Sequence, residues 1–183
     1  MALTATIYQL SVAVSDVDRG VYESLELRVA RHPSESLRYM FTRVLAYALS
    51  YEEGIVFSKG GLSDTDAPPV SVVDRTGMLI SWIDVGSPSA ERMHKASKAA
   101  RNVALYTHAD INLLRREMGT RNVHKLEQID VWHIETSLLD ALEAQVDRKL
   151  SFEIVRTEGQ LYLTLGGESF ASPIERLSLL PSA

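Results

Sequence analysis

In the stretch Ser81–Ala100, SWIDVGSPSAERMHKASKAA, an apolar strand ends on a lone carboxylate, turns through Gly-Ser-Pro and enters a segment crowded with Arg, His and Lys. The period-2 alternation of a strand sets Ile80, Trp82 and Asp84 on one face and Leu79, Ile83 and Val85 on the other. A carboxylate beside a large buried aromatic needs a cation, a metal ion or several hydrogen-bond donors, because an uncompensated buried charge is too costly. Helical spacing supplies two such cations: Met93, Ala96 and Ala100 form a core stripe, Lys98 falls near the middle of the solvent face, and Arg92 and Lys95 lie along one margin. Arg92 and Lys95 are therefore better placed than Lys98 to reach back to Asp84. The plainer alternatives are a turn role for Asp84 and a solvated helix face on which Glu91 and Lys95 form an ordinary i,i+4 pair.

Two other acidic spots bear on the same chemistry. Glu52 and Glu53 are expected to end the first long helix beside Gly54, where a negative charge is poorly placed and calls for a cation. Asp64 and Asp66 fall in SKGGLSDTDAPP, a Gly-, Ser-, Asp- and Pro-rich loop long enough to suggest function, although turn chemistry also accounts for Asp there.

The elements that must position these residues are legible from periodicity. Thr4–Val14 and Val21–Ala30 alternate apolar and polar residues around an Asp-Val-Asp-Arg-Gly turn, an opening pair of strands. HPSESLRYMFTRVLAYALSYEEG carries Leu37, Phe41, Val44, Leu45 and Ala48 at helical spacing, with Glu35 in the first turn. Ile55–Phe57 is a short strand, and Val70–Val73 and Met78–Val85 form a hairpin around Asp-Arg-Thr-Gly. Ser87 and Pro88 suit N-cap and N1 of a helix running to about Arg101, whose free amides would favour anions. Asn102–Thr107 reads as a strand buried on both faces. The order is helix, strand, strand, strand, helix, strand. Beyond it, Ile111–Glu117 and Ser137–Val146 are helical, Ile129–Ile134 is a strand, LSFEIVRTEGQLYLTLGG is a hairpin, and Phe170–Leu179 adds an edge strand.

Composition narrows the function classes. The 183 residues suit one domain, 1–183, and 45% hydrophobic with 23% charged residues is the balance of an ordinary globular protein. No apolar run approaches the roughly 20 residues that span a bilayer, and the alternating start is expected to be a strand rather than an export signal. The absence of cysteine excludes thiolate chemistry and disulfides, and the cytoplasm is the expected compartment. A formal charge of −5 means that any nucleic-acid role needs a local basic patch.

With these residues in place, the pattern resembles the PD-(D/E)xK nuclease-like core, an α/β (α+β) fold of the restriction-endonuclease type. That resemblance implies a mixed central sheet flanked by helices, here with extra N-terminal strands and a C-terminal hairpin. More closely, MALTATIY, ARHPSES, LAYALSYEE, FSKGGLSD and WIDVGSP, followed by Arg92 and Lys95, resemble the YaeQ family of small bacterial proteins over nearly the full length. The resemblance implies that Glu53 is the helix carboxylate, Asp66 the loop acid and Asp84 the (D/E) position. Gly86 stands where the usual Lys would be, so Arg92 or Lys95 would supply its charge. Ala67 and Ser71 stand where the family typically has an acidic residue and a Trp.

On this resemblance Asp66 and Asp84, with the Val85 carbonyl, would ligate Mg²⁺ or Mn²⁺, which lowers the pKa of a bound water and screens a phosphodiester. Lys95 or Arg92 would stabilise the transition state, Glu53 would orient the water, and Lys98 and Arg101 would contact nucleic-acid phosphates. The leading expectation is a metal-dependent nuclease. The alternative is a non-catalytic binding or regulatory module that keeps the fold without the chemistry, and a third is acid–base work by Glu53, Asp84 and His94 or His108. Three structural expectations follow. The Val70–Val85 hairpin lies at the sheet centre, Glu53, Asp66 and Asp84 converge in one pocket, and Asp84→Asn leaves the fold intact or slightly more stable.

Overall fold

A computed structural model describes residues 4–181. Ten strands form one sheet in the order β2-β1-β8-β9-β10-β7-β6-β5-β4-β3. It begins with β1 (Thr6–Asp16) and β2 (Val21–Arg31), antiparallel and eleven residues each. Their alternating burial is the period-2 pattern of a sheet with one face on a core. Gly20, at φ 68, closes the turn between them.

Helix α1 (Leu37–Leu49) is capped by Ser36, whose hydroxyl accepts from the Tyr39 amide at 3.0 Å. It starts later than the sequence suggests, so Glu35 precedes the cap instead of lying in the first turn. Strands β3 (Ile55–Phe57), β4 (Val70–Val73) and β5 (Leu79–Val85) follow, then α2 (Ala90–Ala99) and β6 (Asn102–Thr107). The expected helix-strand-strand-strand-helix-strand order is present. β3, β4 and β5 pair antiparallel, and α2 carries the chain to β6 parallel to β5.

The chain then forms α3 (Ile111–Met118), β7 (Asp130–Ile134), α4 (Thr136–Ala144) and the strands β8 (Lys149–Thr157), β9 (Gln160–Leu165) and β10 (Glu168–Leu177). β8 lies parallel to β1. β10 is not the edge strand expected from sequence. Its first part, Glu168–Pro173, pairs with β9, and its second, Ile174–Leu177, pairs with β7, so it welds two half-sheets together. Pro173 stands at the changeover, where a residue without an N–H costs least. The β4-β5 hairpin is likewise not at the centre: β4 is second from one edge, while β5 and β6 are both interior.

Two apolar cores result. On one face α1 and α4 cover both half-sheets, through Phe41, Leu45, Leu138 and Leu142 against Leu10, Ile83, Tyr106 and Leu163. On the other, α2 and α3 pack Met93, Ala96, Leu114 and Met118 on Trp82, Val103, Leu105 and Val131. β5 and β6 thus separate the two cores, which is why their sequences read as almost wholly apolar. No helix is long and apolar enough to cross a membrane among the described residues.

Candidate functional site

Asp84 lies in the penultimate position of β5, and its side chain is only 2% exposed. Strand alternation brings Trp82 to the same face, where its indole Nε1 donates to Asp84 Oδ2 at 3.0 Å. The Val85 amide donates to Oδ1 at 2.9 Å. From the first turn of α2, Arg92 Nε donates to Oδ2 at 2.6 Å, and its guanidinium lies over the Trp82 ring at 5.4 Å. Arg92 also donates to the carbonyls of Thr65 (2.5 Å) and Ala67 (3.0 Å), tying the 58–69 segment to α2. Lys95 adds an exposed pair with Asp66 at 2.5 Å. This contact holds the Asp66 carboxyl below its usual pKa.

The helix start differs from expectation. Ser89, not Ser87, caps α2 and accepts from the Arg92 amide at 3.1 Å, while Glu117 of α3 accepts from the Ala90 amide at 3.0 Å. Two of the amides expected to favour an anion are therefore already occupied. Gly86 adopts φ 85, and a Cβ there would meet the Tyr39 ring at 3.6 Å. Conformation, more than space, keeps a side chain from this position.

Glu53 does not join the cluster. α1 ends at Leu49, and Glu53 lies in the turn beyond, 86% exposed and 3.4 Å from Arg75 in the β4-β5 turn. That turn is at the opposite end of β5 from Asp84, about 20 Å away at roughly 3.3 Å per residue. The expected three-carboxylate pocket is therefore absent. Lys98 and Arg101 are exposed, and the ion-pair partner of Asp84 is Arg92.

A second carboxylate, Glu35, is buried just before α1. Arg43 of α1 grips it bidentately at 3.0 and 3.2 Å, both side chains being buried, and the His32 amide donates to it at 3.1 Å. Tyr39, one turn before Arg43, has its phenol pKa pushed up to about 12, first by burial and then by the Asp84 charge; Arg43 and Arg92 oppose the shift. Tyr39, Arg43 and Arg92, with Leu62, Thr65 and Pro69, line a cleft of ≈ 120 Å³. The sequence signal for Arg43 was a single cation inside the apolar run YMFTRVLAYAL. Glu35 was visible only as an acid near a helix start.

These residues do not fit a resident Mg²⁺ or Mn²⁺. Of the expected ligands, Asp84 has both oxygens engaged by protein donors and Asp66, exposed, has its Oδ1 held by Lys95, whereas Mg²⁺ demands near-octahedral oxygen coordination. Among the described residues, no group of three or more His, Asp or Glu side chains is placed to hold a metal ion. His94 accepts from the His124 amide at 3.1 Å, and His108 has its pKa lowered chiefly by burial. Neither contact makes an acid–base pair with Asp84.

The fold has solved relatives. The chain superposes on the YaeQ protein of Pseudomonas syringae with a TM-score of 0.85 and 27% identity, covering 95% of this chain and 96% of that one. For the YaeQ protein of Xanthomonas axonopodis pv. citri the TM-score is 0.86 at 26% identity, covering 97% and 100%. In sequence it is 30% identical over 165 residues to the uncharacterized protein YaeQ of Escherichia coli, covering 90% of this chain and 91% of that protein. The YaeQ protein family model matches residues 1–173, and this chain belongs to the YaeQ family.

Proposed function

We propose that the chain is a nucleic-acid-binding protein on a nuclease-like core, acting as a binding module without a resident metal. The observation that carries this is charge segregation. Residues 92–125 hold eight Lys and Arg against two acidic residues, a net +6, whereas the rest of the chain holds 11 against 22, a net −11. These residues cover α2 from Arg92 onward, leaving Ala90 and the acidic Glu91 of its first turn outside, together with β6, α3 and the segment that follows, and both helices pack on one face of β5–β7. Five of the cations, Lys98, Arg101, Arg116, Arg121 and Lys125, are exposed and make no ion pair with the described residues. Arg92 and Lys95 do not compete for phosphate, because Asp84 and Asp66 hold them. A local basic face on an acidic protein concentrates a polyanion at one surface and repels it elsewhere.

The test is binding of a labelled RNA or DNA oligonucleotide across a salt series. Log K should fall with log salt with a slope of about −3 to −4, and Lys98→Glu with Arg101→Glu should reduce that slope by about 2. Binding should be equal in EDTA and in Mn²⁺. Salt-independent binding, or none, sinks the proposal. Mn²⁺-dependent cleavage that Asp84→Asn abolishes would instead establish the hydrolytic alternative, with Arg92 leaving Asp84 to admit the metal.

A further inference from the structure

On the face of β5–β7 opposite α2 and α3, α1 stops short of the strand starts and leaves a cleft of ≈ 490 Å³. Ser81, Asn102, Tyr106 and Trp132 line it from the strands, and Leu49 and Ser50 from the end of α1. Arg156, near the end of β8, closes it from the other half-sheet. The guanidinium lies 4.3 Å over the Trp132 ring and its side chain is 9% exposed, yet none of its N–H groups makes a hydrogen bond to a described residue. The parallel register sets Arg156 opposite Asp16, but Nη1 comes only within 3.8 Å of Asp16 Oδ2 and Nε only within 3.7 Å of Asp18 Oδ2, both too long for hydrogen bonds, and Asp16 Oδ2 is also without a hydrogen-bond partner. The two carboxylates balance the charge of Arg156 without satisfying its N–H groups, and unsatisfied buried donors cost free energy, so the guanidinium is a donor set awaiting an acceptor.

The polarity of the cleft is graded. Arg156, Tyr106 and Ser81 are buried donors at its floor. Ser50 donates to the Tyr106 hydroxyl at 2.9 Å, which leaves the phenolic proton free to point elsewhere. At the mouth, Glu52 is an exposed carboxylate, Asp18 is exposed and lies 3.7 Å from Arg156 Nε, and Asp130, half-buried, is paired with Arg176. Arg19, the other cation of the lining, is committed to the carbonyls of Leu49 and Tyr51 at 2.7 and 2.8 Å. A ligand that fits carries its negative end inward and its positive end outward. A polyanion is disfavoured by the mouth, and a simple cation by the floor.

We infer that this cleft binds a small zwitterion of the α-amino-acid type, its carboxylate taken by Arg156 with help from the Ser81 and Tyr106 hydroxyls, and its ammonium by Asp18 and Glu52. The site is separate from the basic face, so its success or failure leaves the nucleic-acid proposal untouched. Trp132 is the built-in reporter, since a ligand reaching Arg156 changes the cation–π contact over its ring.

The experiment follows the Trp132 indole N–H signal by NMR while the full chain is titrated with each common L-α-amino acid up to about 10 mM, a range that detects millimolar affinity. At least one should shift that signal saturably, and the matching carboxylate and amine, each lacking one charge, should bind at least about tenfold more weakly. Arg156→Gln should lose binding by about tenfold or more. Ala104→Leu, which fills the cleft without touching its charges, should lose it as well and serves if Arg156→Gln does not fold. The inference is overturned if no amino acid shifts the signal, if the carboxylate alone binds as tightly, or if both folded variants bind as the parent does.

Discussion

Two arginines face two buried carboxylates in the two half-sheets, and the contrast between them separates a structural contact from a ligand-ready one. Arg92 meets Asp84 at 2.6 Å and spends its other nitrogens on two backbone carbonyls. Arg156 sits opposite Asp16 at 3.8 Å, and its Nε is buried without an acceptor. Both lie over a Trp ring, so aromatic stacking does not distinguish them. What differs is origin. Arg92 and Asp84 are eight residues apart on consecutive elements, so local geometry sets their approach. Arg156 and Asp16 come from strands far apart in sequence whose parallel register fixes their separation. The first pair closes a site; the second leaves one open.

The comparison is broken most directly by removing each cation in turn. Arg92→Leu strands a buried carboxylate and frees the 58–69 segment, and should cost about 2–4 kcal/mol, reduced from the fully buried case because Arg92 is partly exposed. Arg156→Leu removes two ion contacts too long for hydrogen bonds, to Asp16 and Asp18, and leaves Arg19 3.6 Å from Asp16, so it should cost only about 1 kcal/mol, chiefly its stacking on Trp132. Urea denaturation of both variants measures the difference, and equal losses would erase the distinction.

Asp84→Asn sharpens the same contrast. With Glu53 at the far end of the hairpin, no carboxylate repulsion is relieved, so the stabilisation expected from sequence gives way to a loss of about 1–3 kcal/mol. A double-mutant cycle with Arg92 should show coupling above about 1 kcal/mol, and the cycle for Asp16 with Arg156 should show less than about 0.5 kcal/mol.

Gly86→Lys restores the residue type expected at that position of the nuclease-like motif. The φ of 85 opposes it, and destabilisation of about 1–2 kcal/mol without gain of Mn²⁺-dependent cleavage is expected from thermal unfolding and a nuclease assay. A smaller effect concerns Asp66, whose lowered pKa means that its pairing with Lys95 stabilises the fold fully above the usual value of 3.8 and is lost as pH falls below it. Asp66→Asn should therefore change the melting temperature little at pH 7 and less still at pH 3, where the contribution of the contact is already declining; a larger change at pH 3 would contradict the assignment.

How much of this was legible depends on sequence distance. Trp82, Asp84 and Arg92 could be grouped from period-2 and 100° arithmetic alone, because one turn joins their elements. Glu53 was misplaced because nothing in LSYEEG marks the helix as ending at Leu49; Ser50 and Tyr51 continue the pattern, and the chain turns on tertiary contacts and Gly54 at φ 93. Arg43 and Glu35 are eight residues apart, but their pairing depends on how the 32–35 segment folds back over α1. In FEIVRT, Arg156 shares a face with Phe152 and Ile154, so its inward orientation was readable. Its partner was not, because strand pairing across the whole chain is set by the packed sheet and leaves no local mark.

The shared strand β10 has a consequence for how the protein is made. At roughly 5–20 residues per second, the ribosome finishes β1 on the order of ten seconds before β8 and β10 emerge. The eleven-residue β1-β2 hairpin must wait through that interval with one edge unpaired, and the β3–β7 half-sheet must wait for the second part of β10. The nascent chain thus carries two open sheet edges that none of these strands can cover until β8 and β10 have been made. Its vulnerability to mispairing is greatest while it is still being translated.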